Sequence, residues 1–428
     1  MQKMDVKVCK SNLEGSVDIP GSKSHTIRGL LLGLLADGES RLHRPLDSSD
    51  TRSCIGLCKA LGGGVDCNND NEWFIYGTGG QPKAASDIVD IGNSGTSLFL
   101  GLGVAALADG LTVLTGDEQI RSRDAAPLLT ALRELGATAY SRRGDGCAPL
   151  VVGGGLEGGK VVIECPTSQY LSSLLIACPL AEGDTEICVP LLHEAPYVEM
   201  TCQWLGELDV QYECSDELMQ FEITGGQSYP PFVRSIPADF SSATFFLVAA
   251  AVTGSELYLR GLDMYDSQGD KAVVWMLEEM GCEVTQREEG LVISGPDRLR
   301  GREFDLNSTP DALPAMAVAG CCAEGETRLF NVAHARRKET DRISVMASEL
   351  GKMGAVIEER EDGLVIQGGG LKGAEVDGYG DHRVVMALTV AGLVASGATI
   401  ISTAEAVSIT FPNFFELMKD VGAQIGDY

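Results

Sequence analysis

In a chain of 428 residues with 61 acidic and 33 basic side chains, where the cations gather is informative. Lys23 and Arg28 stand in PGSKSHTIRG, Arg121 and Arg123 in GDEQIRSRD, and Arg383 in GDHR; Arg336, Arg337, Lys338 and Arg342 share HARRKETDRI. Most lie near what reads as the start of an apolar helix: SKSHTIR, GNSGTS, TSQYLSS, DFSSAT, TPDALPA and GDHRVV. Helix N-termini carry unpaired N–H groups and a partial positive charge, so they bind anions. Ser, Thr, Asp and Gly are ordinary N-caps, which accounts for any one start alone. It does not account for Lys and Arg at four of the six starts or in the loops beside them. The chemistry that suits this pattern is the handling of a small, multiply charged anion. If two domains face each other with these ends inward, they form a cage for it. The glycine spacing of G-x-x-x-x-G-K-[ST] is absent around GSKS, which removes a P-loop from consideration.

The elements that must position these residues repeat. Gly38, Gly110, Gly183, Gly254, Gly325 and Gly397 follow the apolar runs at intervals of roughly 71 to 73 residues. After each comes a strand, then an amphipathic helix ending at Leu61, Leu135, Leu208, Met280, Met353 and Val421, then a hairpin such as CEVTQREEGLVISG or AVIEEREDGLVIQG. The sixth copy stops at GAQIGDY, and DVKVCKSNLEGSVDIPG near the N-terminus has the alternation of the missing hairpin. The N-terminus is therefore expected to complete the last copy and close the architecture. The first helix of each copy, as in SLFLGLGVAALADG or SATFFLVAAAVTG, lacks a full charged face, and such a helix belongs in a core or a membrane. These runs fall short of the roughly 20 apolar residues that a span needs. They are read as internal helices covered by sheets, an α/β fold turned inside out.

A formal net charge of −28 argues against binding DNA, RNA or an anionic membrane. Thirteen cysteines without a secretory opening fit free thiols in a reducing cytoplasm. Cys54 and Cys58 lie one helical turn apart with no CxxC or histidine pair, which suits core packing better than metal binding.

Taken together, PGSKS, GNSGT, KETDRI and DHR resemble the 5-enolpyruvylshikimate-3-phosphate synthase family of enolpyruvyl transferases, from IPGSKSHTIRGLLLGLLADG to ITFPNFFELM. The resemblance implies a two-domain inside-out α/β barrel with three βαβαββ repeats per domain. One domain would be 21–236 and the other 1–20 plus 237–428, with the active site in the cleft between them. It implies transfer of the enolpyruvyl group of phosphoenolpyruvate to the 5-hydroxyl of shikimate 3-phosphate with release of phosphate, and no metal or organic cofactor. Carried over by motif, Lys23, Gly95, Arg123, Gln169, Arg342 and Arg383 would hold phosphoenolpyruvate. Lys23, Ser24, Arg28, Thr167, Ser168, Gln169, Tyr197, Asp311, His334 and Lys338 would hold the acceptor, with Asn93, Thr96, Arg121 and His382 in support. Asp311 matches the family's proton acceptor and Glu339 its proton donor, with Lys23 assisting. A carboxyl group beside Lys338 and Arg342 ionises easily, so Glu339 needs bound substrate or burial to act as an acid. The expected protein is a cytoplasmic monomer whose partners are these two small molecules, with neither nucleic acid nor membrane among them.

The pattern breaks in places. Phe99 stands where the family usually has arginine, and Glu194 where a serine commonly helps bind the acceptor phosphate. A carboxylate there repels phosphate unless it points away or pairs with a cation. Ile409 replaces a lysine of one enzyme class, Asp124 stands where proline often follows the arginine, and His334 occupies a variable position. Phe99 and Glu194 leave a sister transferase with another alcohol as the alternative. The UDP-N-acetylglucosamine version usually carries a cysteine in the loop matching GDEQIRSRDAAP, and none is present. The RNA 3′-phosphate cyclase shares the repeat architecture, but the acidic composition argues against RNA.

Overall fold

The computed structural model describes residues 3–69 and 71–428. Twelve helices of the described residues alternate between two roles. The odd-numbered ones are α1 (Lys23–Leu35), α3 (Gly95–Ala106), α5 (Ser168–Ala177), α7 (Phe240–Thr253), α9 (Leu313–Cys322) and α11 (His382–Val394). The even-numbered ones are α2 (Ser49–Ala60), α4 (Ala126–Glu134), α6 (Ala195–Glu207), α8 (Ala272–Glu279), α10 (Arg342–Lys352) and α12 (Phe414–Asp420). Every residue of α3 is buried, and α11 buries all but Val394. By contrast α4 buries only Leu128, Leu129, Ala131 and Leu132, the stripe of an amphipathic helix lying on a core.

The described residues form six four-stranded sheets of one pattern. In the first copy Glu39–His43 runs parallel to Val233–Ser235 and antiparallel to Glu72–Tyr76, which pairs with Gly64–Asn69. The hairpins expected from sequence are Glu283–Arg287 with Gly290–Ser294, and Val356–Arg360 with Gly363–Gln367. Each even-numbered helix has its C-cap at the residue expected: Leu61, Leu135, Leu208, Met280, Met353 and Val421. The next residue turns left-handed to satisfy the last carbonyls. It is glycine in five copies and Asp209, at φ 58°, in the third. Among the turn glycines, Gly183 alone has no positive φ. Its carbonyl instead lies where a side chain on Gly158 or Gly225 would have to sit, so the tight approach is made by those two glycines.

The chain divides into two compact units, Gly21–Ile236 and the chain up to Pro20 together with Pro237–Tyr428. Each has its own apolar core. In the discontinuous unit, Val6–Cys9 lies between Thr399–Ser402 and Gln424–Asp427, antiparallel to both, and Glu14–Asp18 runs parallel to Glu256–Arg260. The N-terminal segment thus completes the sixth sheet and joins the fourth. In Gly21–Ile236 the ring closes when Val233–Ser235 returns to the first sheet. Helices inside and sheets outside is the arrangement expected from the all-apolar runs, since a helix pairs the backbone groups of its interior turns within itself where water is absent. Phe245, Phe246, Phe411 and Phe414 form edge-to-face or tilted pairs around the inner helices of the discontinuous unit. Full burial of one such side chain is worth about 1.5–3 kcal/mol.

Candidate active site

Within Gly21–Ile236, the N-termini of α1, α3 and α5 carry the expected residues. Ser22 caps α1 by accepting from the backbone N–H of His25. Lys23 follows, and its Nζ lies 3.1 Å from Oδ2 of Asp50, a buried carboxylate in α2. One turn later Arg28 is buried among neutral acceptors: Thr201 Oγ1 at 2.9 Å, Ser172 Oγ at 3.3 Å, and the carbonyls of Tyr197 at 2.8 Å and Ser24 at 3.2 Å. Burial pulls its pKa down to about 10. No ion pair with a carboxylate forms there among the described residues. A desolvated guanidinium held only by dipoles is poised to gain from an anionic ligand.

Ser94 caps α3 by accepting from Ser97, and Thr96 is buried in its first turn. Arg123 lies directly over Gly95, where a Cβ would come within 3.0 Å of the guanidinium carbon. Only glycine leaves room for that approach. Asn93 donates to Asp117 at 2.7 Å and to Gln119 at 2.6 Å, bracing the same loop. Arg121 is exposed and donates to the Gly116 carbonyl, which gives it a bracing place beside Arg123.

At α5, Thr167 is the N-cap, and the Oε1 of Gln169 is buried without a hydrogen-bond partner among the described residues. Glu194 is buried and left-handed at φ 59°, with its carboxylate on α5. Its Oε2 accepts from Thr167 Oγ1 at 3.1 Å, Ser168 N at 3.1 Å and Ser168 Oγ at 2.9 Å. Tyr197 lies in the first turn of α6, with its carbonyl on Arg28.

In the discontinuous unit the centre is Arg342, the first residue of α10 and 1% exposed. It donates to Asp311 Oδ1 at 2.7 Å, Glu339 Oε2 at 2.5 Å and Asp381 Oδ2 at 2.8 Å. Burial alone would lower the pKa of this guanidinium, but Asp381, Glu339 and Asp311 outweigh it and hold the pKa above its ordinary value. Arg383 also reaches Asp311, at 2.9 Å. Asp311 lies in the 3₁₀ turn Pro310–Ala312 that leads into α9; His334 is buried in the turn Ala333–Arg337, and the half-buried Lys338 follows it. His382 opens α11, and burial pulls its pKa down to about 3, so it is neutral. Of the neighbouring cations, Arg336 turns away to Asp341 and Glu359.

Two acids were not singled out by sequence. Asp50 reads as an ordinary acid in a first helical turn, and nothing local ties it to Lys23. Asp381 is the aspartate of the DHR motif, and an N-cap acid beside an arginine is the signal that marks it. The departures have structural explanations. Phe99 is buried edge-on against Tyr170, with ring centroids 5.2 Å apart, so it fills apolar space. Ile409 is likewise in the core. Asp124 accepts from the backbone of Ala126 at 2.8 Å, starting α4 where a proline could serve. No group of His, Cys, Asp and Glu among the described residues could hold a metal ion, and none of their helices is long and apolar enough to cross a membrane.

The chain is also similar to known proteins over its length. The sequence model of the family EPSP synthase (3-phosphoshikimate 1-carboxyvinyltransferase) matches residues 8–418. The chain is 53% identical over 422 residues to the 3-phosphoshikimate 1-carboxyvinyltransferase of Acetivibrio thermocellus, covering 99% of both chains. The protein of that name from Ruminiclostridium cellulolyticum gives the same identity and coverage. Among solved structures, an EPSP synthase from Acinetobacter baumannii superposes with a TM-score of 0.84 at 28% identity, over 99% of this chain and 100% of that one. With the whole length, the repeat and the fold in agreement, the chain belongs to the EPSP synthase family.

Proposed function

We propose that the protein transfers the enolpyruvyl group of phosphoenolpyruvate to the 5-hydroxyl of shikimate 3-phosphate, releasing phosphate, in the shikimate pathway to chorismate and the aromatic amino acids. The observation that carries this is 53% identity over 99% of the chain to relatives bearing that activity's name. It also disfavours the sister transferase with another alcohol, because Phe99 and Glu194 stand in a chain otherwise so close to those relatives.

The chemistry assigns roles that fit the groups present. Asp311 takes the proton of the acceptor hydroxyl as its oxygen bonds to C2 of phosphoenolpyruvate. Glu339 gives a proton to the C3 methylene, forming a tetrahedral adduct. Loss of a C3 proton back to Glu339 and cleavage of the C2–O bond then restore the enol, and the departing phosphate carries off the proton held by Asp311. Lys23, Arg123, Arg342 and Arg383 offset the charge of carboxylate and phosphate, with guanidinium forks suited to paired oxygens. Gly95 and Gln169 complete that set. Ser24, Arg28, Thr167, Ser168, Gln169, Tyr197, Asp311, His334 and Lys338 hold the acceptor together with Lys23; Asn93, Thr96, Arg121 and His382 support them. In this assignment Arg342 orients both carboxylates, which it already contacts. A cytoplasmic location, supported by thirteen cysteines with free thiols, a monomeric state and no cofactor complete the proposal.

The test follows phosphate release with phosphoenolpyruvate and shikimate 3-phosphate. Turnover is expected with that pair and not with UDP-N-acetylglucosamine. Release with another alcohol, and none with shikimate 3-phosphate, overturns the assignment.

A further inference from the structure

Glu194 is the N-cap residue of α6, yet its side chain makes no cap bond to that helix. It caps a different one. Its Oε2 takes two hydroxyls and a backbone N–H at the start of α5, from Thr167 and Ser168, all within 3.1 Å. A helix N-terminus with converging hydroxyls is the setting in which proteins hold a phosphate oxygen. The position is reached at a backbone cost, since Glu194 is a non-glycine residue at φ 59°, a conformation that persists only where its surroundings enforce it.

We infer that Glu194 is a tethered anion that occupies the acceptor's phosphate position at the head of α5 and has to be displaced when a phosphorylated acceptor binds. This rests on the assignment of Thr167 and Ser168 to the acceptor. Two anions cannot share the same three donors, so carboxylate and phosphate compete. The carboxylate leaves as the phosphate arrives, and no covalent bond changes. The tether keeps the buried donors satisfied while the site is empty and lowers apparent affinity for phosphate by the fraction of molecules in which it is seated. It also sharpens selection, because a neutral acceptor has nothing with which to replace the carboxylate. Glu194 is thus a specificity-determining residue, not a catalytic one.

The test uses the whole protein and two variants, Glu194→Gln, which keeps size and an acceptor oxygen but loses the charge, and Glu194→Ser. Inorganic phosphate is titrated calorimetrically, and KM is measured for shikimate 3-phosphate and for phosphoenolpyruvate. Both variants are expected to bind phosphate about five- to tenfold more tightly. The acceptor's KM should fall in proportion and that of phosphoenolpyruvate should stay put. Adding Ser168→Ala to Glu194→Gln should abolish the gain. If Glu194→Ser does not fold, Glu194→Gln decides alone. Unchanged or weaker phosphate binding overturns the inference, as does a gain that survives Ser168→Ala. Absence of turnover with shikimate 3-phosphate in every form would count against the proposed function, while the phosphate titration would still decide the role of Glu194.

Discussion

Asp381 Oδ2 accepts from Arg342 Nε at 2.8 Å, and neither side chain is more than 1% exposed. The same aspartate caps α11, accepting from the backbone of Arg383 at 2.9 Å. It therefore fixes the start of one helix against the start of another, α10, and sets the height at which Arg342 meets Asp311 and Glu339. Removing one member of a buried, hydrogen-bonded ion pair costs about 3–5 kcal/mol, because the other charge stays behind desolvated. Asp381→Ala is expected to lose about that much in urea unfolding and nearly all turnover. Asp381→Asn, which can still cap, should lose less stability. A cost below about 1 kcal/mol for the alanine variant would contradict this account.

His382 supplies a pH dependence. Burial depresses its pKa from the ordinary 6.5 to about 3. The folded state then binds fewer protons than the unfolded chain between those values. Its contribution to stability is complete above pH 6.5 and drains away as pH falls toward 3, at up to about 1.4 kcal/mol per pH unit. His382→Gln should flatten the stability profile across that window in denaturant titrations run at several pH values. Identical slopes for the two proteins would rule the histidine out as the source.

Phe99 tests whether the missing family arginine could be restored. The ring is 3% exposed and packs edge-on to Tyr170. Phe99→Arg puts a charge into that apolar space and is expected to cost about 3 kcal/mol or more. For a domain of this size that lowers Tm by about 6–12 °C. A variant as stable as the parent, with tighter phosphoenolpyruvate binding, would mean that the side chain reaches the site after all.

Gly95 separates stability from binding. At the first position of α3, alanine is a better helix former than glycine, so Gly95→Ala should fold at least as well. Its methyl group meets the Arg123 guanidinium and must push it aside. The expected outcome is a KM for phosphoenolpyruvate raised about tenfold or more, as a displacement costing roughly 1.4 kcal/mol implies, against little change for the acceptor. Equal effects on both substrates would remove Arg123 from the phosphoenolpyruvate side.

Much of the fold could be read locally because it is built from local rules repeated. The apolar runs, the six C-cap positions and the Ser, Thr or Asp caps of α1, α3, α5, α7 and α11 each depend on residues within a turn or two. The ninth helix departs from this, since a proline-led 3₁₀ turn replaces the side-chain cap and presents Asp311. Motif positions such as Lys23, Arg342 and Arg383 were legible because cations are scarce in so acidic a chain. Which cation met which partner was not: Arg336 and Arg342 lie in one stretch, yet the first turns to Glu359 and the second to Asp381.

Local pattern alone sets the period, the alternation of buried and half-buried helices, and the helix starts at which anion-handling residues collect. These follow from propensity and hydrophobic pattern, which act over a few residues. Long-range packing is what rests Lys23 on Asp50, holds Arg28 with Thr201 and Ser172, and puts Phe99 in core space. It alone turned Glu194 from a carboxylate in the wrong place into the cap of a helix whose first residue is 26 positions away. Such contacts join segments far apart in the chain, and their free energy depends on burial and geometry that no local pattern encodes.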